Sequence, residues 1–237
     1  MGNVDPKERL IFALDVPTAG EAERYVDELD GIIDFFKVGI ILHSVAGSGF
    51  VRELVRRGKK VFLDLKFLDI ADTVRDAVRQ VSGLGVTFLT VHAERQAMKA
   101  AAEGKAGSDL RILAVTLLTN LGISDLEETG IRMSPGEVVL RRARMAAECG
   151  CDGVISSGRE AALIRKKTGG RLLIVTPGVR PAGSSSDGHK RLVTPSDAIR
   201  AGADYLVVGR PIRNAADRRS AASSILEEMR SAFQQKE

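Results

Sequence analysis

The chain has 237 residues, 44% of them apolar and 28% charged, the mix of an ordinary globular protein long enough to bury one large core. With two cysteines, no run near the roughly 18 apolar residues of a membrane span, and an N-terminus (MGNVDPKERL) lacking a basic-then-apolar leader pattern, the composition excludes a disulfide scaffold and a membrane protein, and points to the cytoplasm. A net charge of +4 spread over scattered Lys and Arg, with 4% aromatics and no Trp, gives little support to nucleic-acid binding and suits a few local cationic sites for a small anion.

Near-continuous apolar runs recur along the chain and read as strands at Leu10–Val16, Phe35–Ile40, Lys60–Phe67, Phe88–Ala93, Arg111–Leu117, Gly153–Ser157, Leu172–Val179 and Tyr205–Gly209. Such runs are what parallel strands buried on both faces look like. Between them lie stretches with helical period. Ala22, Tyr25, Val26 and Leu29 share one face, as do Phe50, Val51, Leu54 and Val55. Thr18-x-x-Glu21, Ser134-x-x-Glu137, Ser157-x-x-Glu160 and Thr194-x-x-Asp197 mark helix starts, and Gly58, Gly85, Gly150 and Gly202 stand where helices should stop. Eight strands alternating with helices, with no linker, predict a single (β/α)8 TIM barrel over residues 1–237. An open doubly wound sheet would want a Gly-rich turn after the first strand, where this chain reads Asp15-Val-Pro-Thr.

Barrel active sites form at the C-terminal ends of the strands. The polar residues falling there are Asp15 (strand 1), Lys37 (strand 2), Asp64, Lys66 and Asp69 (strand 3), Thr116 and Thr119 (strand 5), Thr176 and Arg180 (strand 7), and Gly209-Arg210 (strand 8). Lys37, Asp64 and Lys66 stand inside apolar strands, where charge is costly unless paired. Asp64 and Lys66 share strand parity and face one side. A buried ion-pair network that merely holds the barrel could account for one such residue; five charges on one rim favour a site. Loops after strands 7 and 8 often hold a phosphate in barrels, and Gly209-Arg210 supplies close backbone approach and a guanidinium. The Gly- and Ser-rich stretch 181–191 reads as a lid over it. The three histidines, His43, His92 and His189, show no metal-ligand spacing, and Cys149-Gly-Cys151 is too tight for a zinc pair, so no metal and no cofactor are expected.

With those residues in place, the chain resembles the orotidine 5'-monophosphate decarboxylase family nearly end to end. Phe62-Leu-Asp64-Leu-Lys66-Phe-Leu-Asp69-Ile70-x-x-Thr73 is similar to the family's D-x-K-x-x-D-I motif. Lys37-Val-Gly, Val115-Thr-x-Leu-Thr119, Val175-Thr-Pro-Gly-Val-Arg180-Pro and Val208-Gly-Arg210-Pro follow in the same order as in the family. The resemblance implies conversion of orotidine 5'-monophosphate to UMP and CO2, the last step of de novo UMP synthesis, without metal or cofactor. It implies a charge array of Lys37, Asp64, Lys66 and Asp69, with Lys66 protonating C6. Asp15 and Lys37 would bind the ribose, Thr119 the pyrimidine, and Arg180, Gly209 and Arg210 the phosphate. Asp69, Ile70 and Thr73 would reach into the partner's site in a homodimer. The family often reads F-H-D-I-P-N-T where this chain has Phe67-Leu-Asp69-Ile70-Ala-Asp-Thr73. It usually places in the lid a Gln that bridges base and phosphate, where His189 falls; an imidazole can also donate there, with a different reach. A Mg-dependent branch of the same barrel group, hexulose-phosphate synthase and ketogulonate-phosphate decarboxylase, carries an acidic metal ligand near the end of strand 2, where this chain has Lys37.

Overall fold

The computed structural model describes residues 5–181 and 193–235. Eight parallel strands close in sequence order into a barrel: β1 (Leu10–Ala13), β2 (Phe35–Gly39), β3 (Lys60–Phe67), β4 (Phe88–His92), β5 (Arg111–Val115), β6 (Gly153–Ile155), β7 (Leu173–Thr176) and β8 (Tyr205–Val208), with β8 pairing back to β1. Helices α1 (Ala19–Glu28), α2 (Ile40–Arg56), α3 (Ala71–Ser82) and α4 (Arg95–Gly104) follow the first four strands. After β5 come a short α5 (Ile123–Glu128) and α6 (Pro135–Glu148), then α7 (Gly158–Lys167) and α8 (Pro195–Arg200). Behind β8 lie a one-turn α9 (Arg210–Arg213) and α10 (Arg218–Gln234). This is the (β/α)8 barrel that the strand count predicts.

The expected helix signals are present where the sequence puts them. Ser134 and Glu137 form a reciprocal capping box, while Thr18, Ser157 and Thr194 cap with the side chain alone. Gly58, Gly85, Gly150 and Gly202 all adopt positive φ, the conformation that ends a helix at low cost for glycine. Seven of the eight strands run one to three residues shorter at their C-terminal ends than their apolar runs. Val16 and Leu117 stay buried beyond the last ladder bond; Leu14, whose N–H still donates to the Lys37 carbonyl at 3.0 Å, and Val179, in an isolated bridge with Val193, are buried just past the strand ends, so burial outlasts regular pairing at this end of the barrel.

Alternation along each strand separates two cores. One lies between sheet and helices; the other fills the barrel and includes Ile11, Phe35, Phe62, Phe88, Val175 and Tyr205. Phe88 is its hub, with ring centroids 5.1 Å from Phe35, 6.0 Å from Phe62 and 5.0 Å from Tyr205. These rings plug the barrel from the N-terminal side. Two residues further along each strand, the inward series 35, 62 and 88 becomes Lys37, Asp64 and Thr90, so the interior turns from aromatic to polar at the C-terminal end.

Candidate active site

β2 carries Lys37 at its centre, 8% exposed, where it could not be tolerated unpaired. Its ammonium lies 2.7 Å from Asp15 Oδ1 and 3.7 Å from Asp64 Oδ2. The close packing depends on Gly39, where an added Cβ would come within 2.8 Å of Lys37 Nζ and 3.1 Å of Asp15 Oδ1. Lys66 Nζ lies 2.8 Å from Asp64 Oδ1, and the Thr90 hydroxyl donates to the same oxygen at 2.9 Å. Asp15, Lys37, Asp64 and Lys66 therefore form one continuous chain of alternating charge. Burial alone would push the Asp64 carboxyl up; the ammoniums of Lys37 and Lys66, with hydrogen bonds from Lys66 and Thr90, outweigh it and hold the group below the usual carboxylate range.

The parity that aims Asp64 and Lys66 at one side survives an irregular backbone. Leu63 pairs with Leu89 and Phe67 with Val91, so four steps on β3 run against two on β4. The excess of two keeps side-chain parity intact. Lys66 absorbs the bulge at φ 52°, the one non-glycine residue with positive φ among those described. For a side chain with a Cβ that conformation costs roughly 1–2 kcal/mol, and such strain concentrates at functional sites.

Above this chain opens a cavity of about 550 Å³, lined by Asp15, Lys37, Asp64 and Lys66 on one side and by Gly178, Arg180, Gly209, Arg210 and Arg213 on another. Its volume suits a small ligand of nucleotide size. Ala13 and Val207 add apolar wall, and Ile40 and Ile41 from the start of α2 form part of the rim. Arg213 has no counterpart among the residues singled out from sequence. It reaches the cavity because it lies one helical turn beyond Arg210 on α9, and its guanidinium also donates to the Asp15 carbonyl. The repeat of Arg at that spacing after strand 8 was the available signal.

Not every predicted site residue joins this cavity. Asp69, Ile70 and Thr73 lie on the loop after β3 and the first turn of α3, outside its wall; Asp69 is exposed and accepts a hydrogen bond from the backbone N–H of Ile70 at 2.7 Å. Thr119 is half-buried on the loop beyond β5, also off the wall. His189 and nearly all of the predicted lid fall outside the described residues. Thr116 is fully buried and spends its hydroxyl on the Ile155 carbonyl at 2.8 Å, a structural role. His92 is half-buried at the end of β4; burial, then the nearby Lys66 and Arg142, press its pKa down and favour the neutral ring. Cys149 and Cys151 are free, buried thiols, with Cys151 pushed up to about 12 by burial. Among the described residues no group of three or more His, Cys, Asp or Glu side chains is placed to hold a metal ion, and no helix is long and apolar enough to cross a membrane.

Residues 8–225 match the model of the orotidine 5'-phosphate decarboxylase / HUMPS family. The chain belongs to that family. Within it, the chain is 49% identical to the orotidine 5'-phosphate decarboxylase of Afipia carboxidovorans over 225 residues, covering 95% of this chain and 96% of the relative. The enzyme of the same name from Bradyrhizobium diazoefficiens is 48% identical over 226 residues, 95% of either chain. A crystal structure of orotidine 5'-phosphate decarboxylase from Lactobacillus acidophilus superimposes with a TM-score of 0.83 at 37% identity, covering 93% of this chain and 98% of that one. In this chain the charge array and the arginines line one cavity at the barrel mouth.

Proposed function

We infer that the chain decarboxylates orotidine 5'-monophosphate to UMP. The observation that carries this reading is the Asp15–Lys37–Asp64–Lys66 chain lining the same cavity as Arg180, Arg210 and Arg213. The relatives that match nearly the full chain are named for this activity. The arginines and Gly209 take the 5'-phosphate, and Asp15 and Lys37 take the ribose hydroxyls. The pyrimidine carboxylate is thereby brought against Asp64 and Lys66, with Thr119 at the base. As the C6–carboxylate bond breaks, its electron pair stays on C6 and CO2 departs. The fixed Lys66 ammonium lowers the energy of that charge and then gives C6 its proton. Asp64 holds Lys66 in place and, by like charge, disfavours the bound carboxylate until CO2 leaves. Phosphate binding at a distance from the reacting carbon supplies energy for holding this arrangement. The metal-dependent branch of the family has less support, because a cation, Lys37, stands near the end of β2.

The active unit in this reading is a homodimer with shared sites. Ile40, Ile41, Val45, Leu68, Ile70 and Ile123 are each more than half exposed, and all follow the C-terminal ends of β2, β3 or β5 around the cavity mouth. A second copy related by a two-fold axis covers this apolar rim and brings its Asp69, Ile70 and Thr73 toward the array. Buried free thiols fit a cytoplasmic location. The test of function is turnover of orotidine 5'-monophosphate after exhaustive chelation, beside phosphate-free orotidine. Undiminished turnover of the nucleotide and a large loss with orotidine are expected. Activity that vanishes with chelator and returns with Mg would move the chain to the metal-dependent branch.

A further inference from the structure

The inward positions of β4 are Phe88, Thr90 and His92, and Thr90 is the polar one that is fully buried, directly opposite the β3 irregularity. Its hydroxyl makes two bonds of fixed direction. It accepts from the Lys66 backbone N–H at 3.0 Å and donates to Asp64 Oδ1 at 2.9 Å. A hydroxyl has a single proton, so the donation to Asp64 leaves a lone pair for Lys66 N–H and settles the rotor. The first bond matters because the bulge pulls the Lys66 peptide out of the β3–β4 ladder, where a buried N–H without a partner is costly. The second matters because Asp64 Oδ1 is also the oxygen that holds Lys66 Nζ, at 2.8 Å. One side chain thus ties together the backbone of Lys66 and the carboxylate that aims its ammonium.

We propose that Thr90 is a positioning residue for decarboxylation: its hydroxyl holds the left-handed Lys66 backbone and the Asp64 carboxylate in the one relative arrangement that presents the Lys66 ammonium to the reacting carbon. It need not touch the substrate. This proposal rests on the assignment of Lys66 as proton donor. The methyl group of Thr90 packs in the core, and the hydroxyl alone carries the function. A small displacement of a reacting group from its productive geometry lowers the chemical step while leaving binding through the phosphate nearly intact.

The test compares Thr90→Val, which keeps the shape and loses the hydroxyl, with Thr90→Ser, which keeps the hydroxyl. Lys66→Ala serves as the reference for the underlying assignment. With the hydroxyl gone, kcat for orotidine 5'-monophosphate should fall roughly ten- to a hundredfold, the worth of a hydrogen bond to a charged group. KM and the Kd of UMP should move less than about threefold, and Thr90→Ser should recover most of kcat. A Thr90→Val kcat within twofold of wild type overturns the proposal, as does equal impairment of Val and Ser variants, which would assign the effect to packing. Should the Val variant fail to fold, Thr90→Cys, a poor donor of similar size, replaces it under the same two criteria. If Lys66→Ala itself turns over normally, the assignment of Lys66 fails; if Lys66→Ala is inactive and Thr90→Val is normal, only the role of Thr90 fails.

Discussion

Replacing Lys66 by glycine and by alanine separates its chemical role from its backbone strain. Both changes delete the ammonium and its 2.8 Å pairing with Asp64. Asp64 then keeps the more distant Lys37 at 3.7 Å and the Thr90 hydroxyl, so its charge is not stranded. Loss of a pair whose side chains are 26% and 15% exposed costs each variant the same amount, on the order of 1–3 kcal/mol. The two differ in the backbone. Alanine retains a Cβ at φ 52° and therefore the left-handed strain of about 1–2 kcal/mol. Glycine sheds that strain but adds roughly 0.5–1 kcal/mol of unfolded-state entropy. The Gly variant should therefore be the more stable of the two by about 0.5–1 kcal/mol, a difference in Tm of about 1–4 °C for a domain of this size. Calorimetric melting of both proteins with and without UMP, beside their turnover, gives the comparison. Neither should decarboxylate, and both should bind UMP. An alanine variant at least as stable as the glycine one would show that residue 66 is not held left-handed. Near-normal turnover of either would remove Lys66 from the chemistry.

Two further outcomes are expected. In demonstrated heterodimers of an Asp69→Ala chain with a Lys66→Ala chain, one of the two shared sites draws on intact residues from both chains, so about half the wild-type activity should return; no recovery would mean that each site is built from one chain. The depressed carboxyl of Asp64 contributes stability that is present above the unfolded value of about 3.9 and is lost as pH falls through the lower folded value. Asp64→Asn leaves Lys37 and Lys66 without the carboxylate between them, so its Tm should sit below wild type by a constant gap from pH 7 to about 5, narrowing only below about 4. A gap that widens as pH falls from 7 to 5 would mean that burial dominates and the carboxyl is raised.

Much of this molecule could be read from its sequence because the barrel repeats one pattern that local rules describe. Strand positions follow from buried apolar runs, and Gly58, Gly85, Gly150 and Gly202 mark helix ends through their own backbone preference. The ends of β1, β5 and β7 were less legible, since Val16, Leu117 and Val179 are as buried as ladder residues and hydrophobicity does not report regular strand pairing. The convergence of Asp15, Lys37, Asp64 and Lys66 followed from strand parity and the rule that barrel sites lie at strand C-termini. Thr90 escaped notice because its importance depends on a two-residue offset between β3 and β4, a property of pairing between segments rather than of either segment. Arg213 was missed because α9 is a single turn, too short to show a helical period. The placement of Asp69 away from its own chain's cavity has no local cause in the sequence; in the proposed dimer it is set by a surface that a second chain completes.

The central claim, that CO2 leaves C6 and a lysine ammonium replaces it with a proton, is tested most directly by turning over carboxyl-labelled orotidine 5'-monophosphate in D2O. Lysine ammonium protons exchange with solvent, so the label should leave as CO2 in equal amount to UMP formed, and that UMP should carry one deuterium at C6. Label retained in the product, or UMP bearing only protium at C6, would contradict the account.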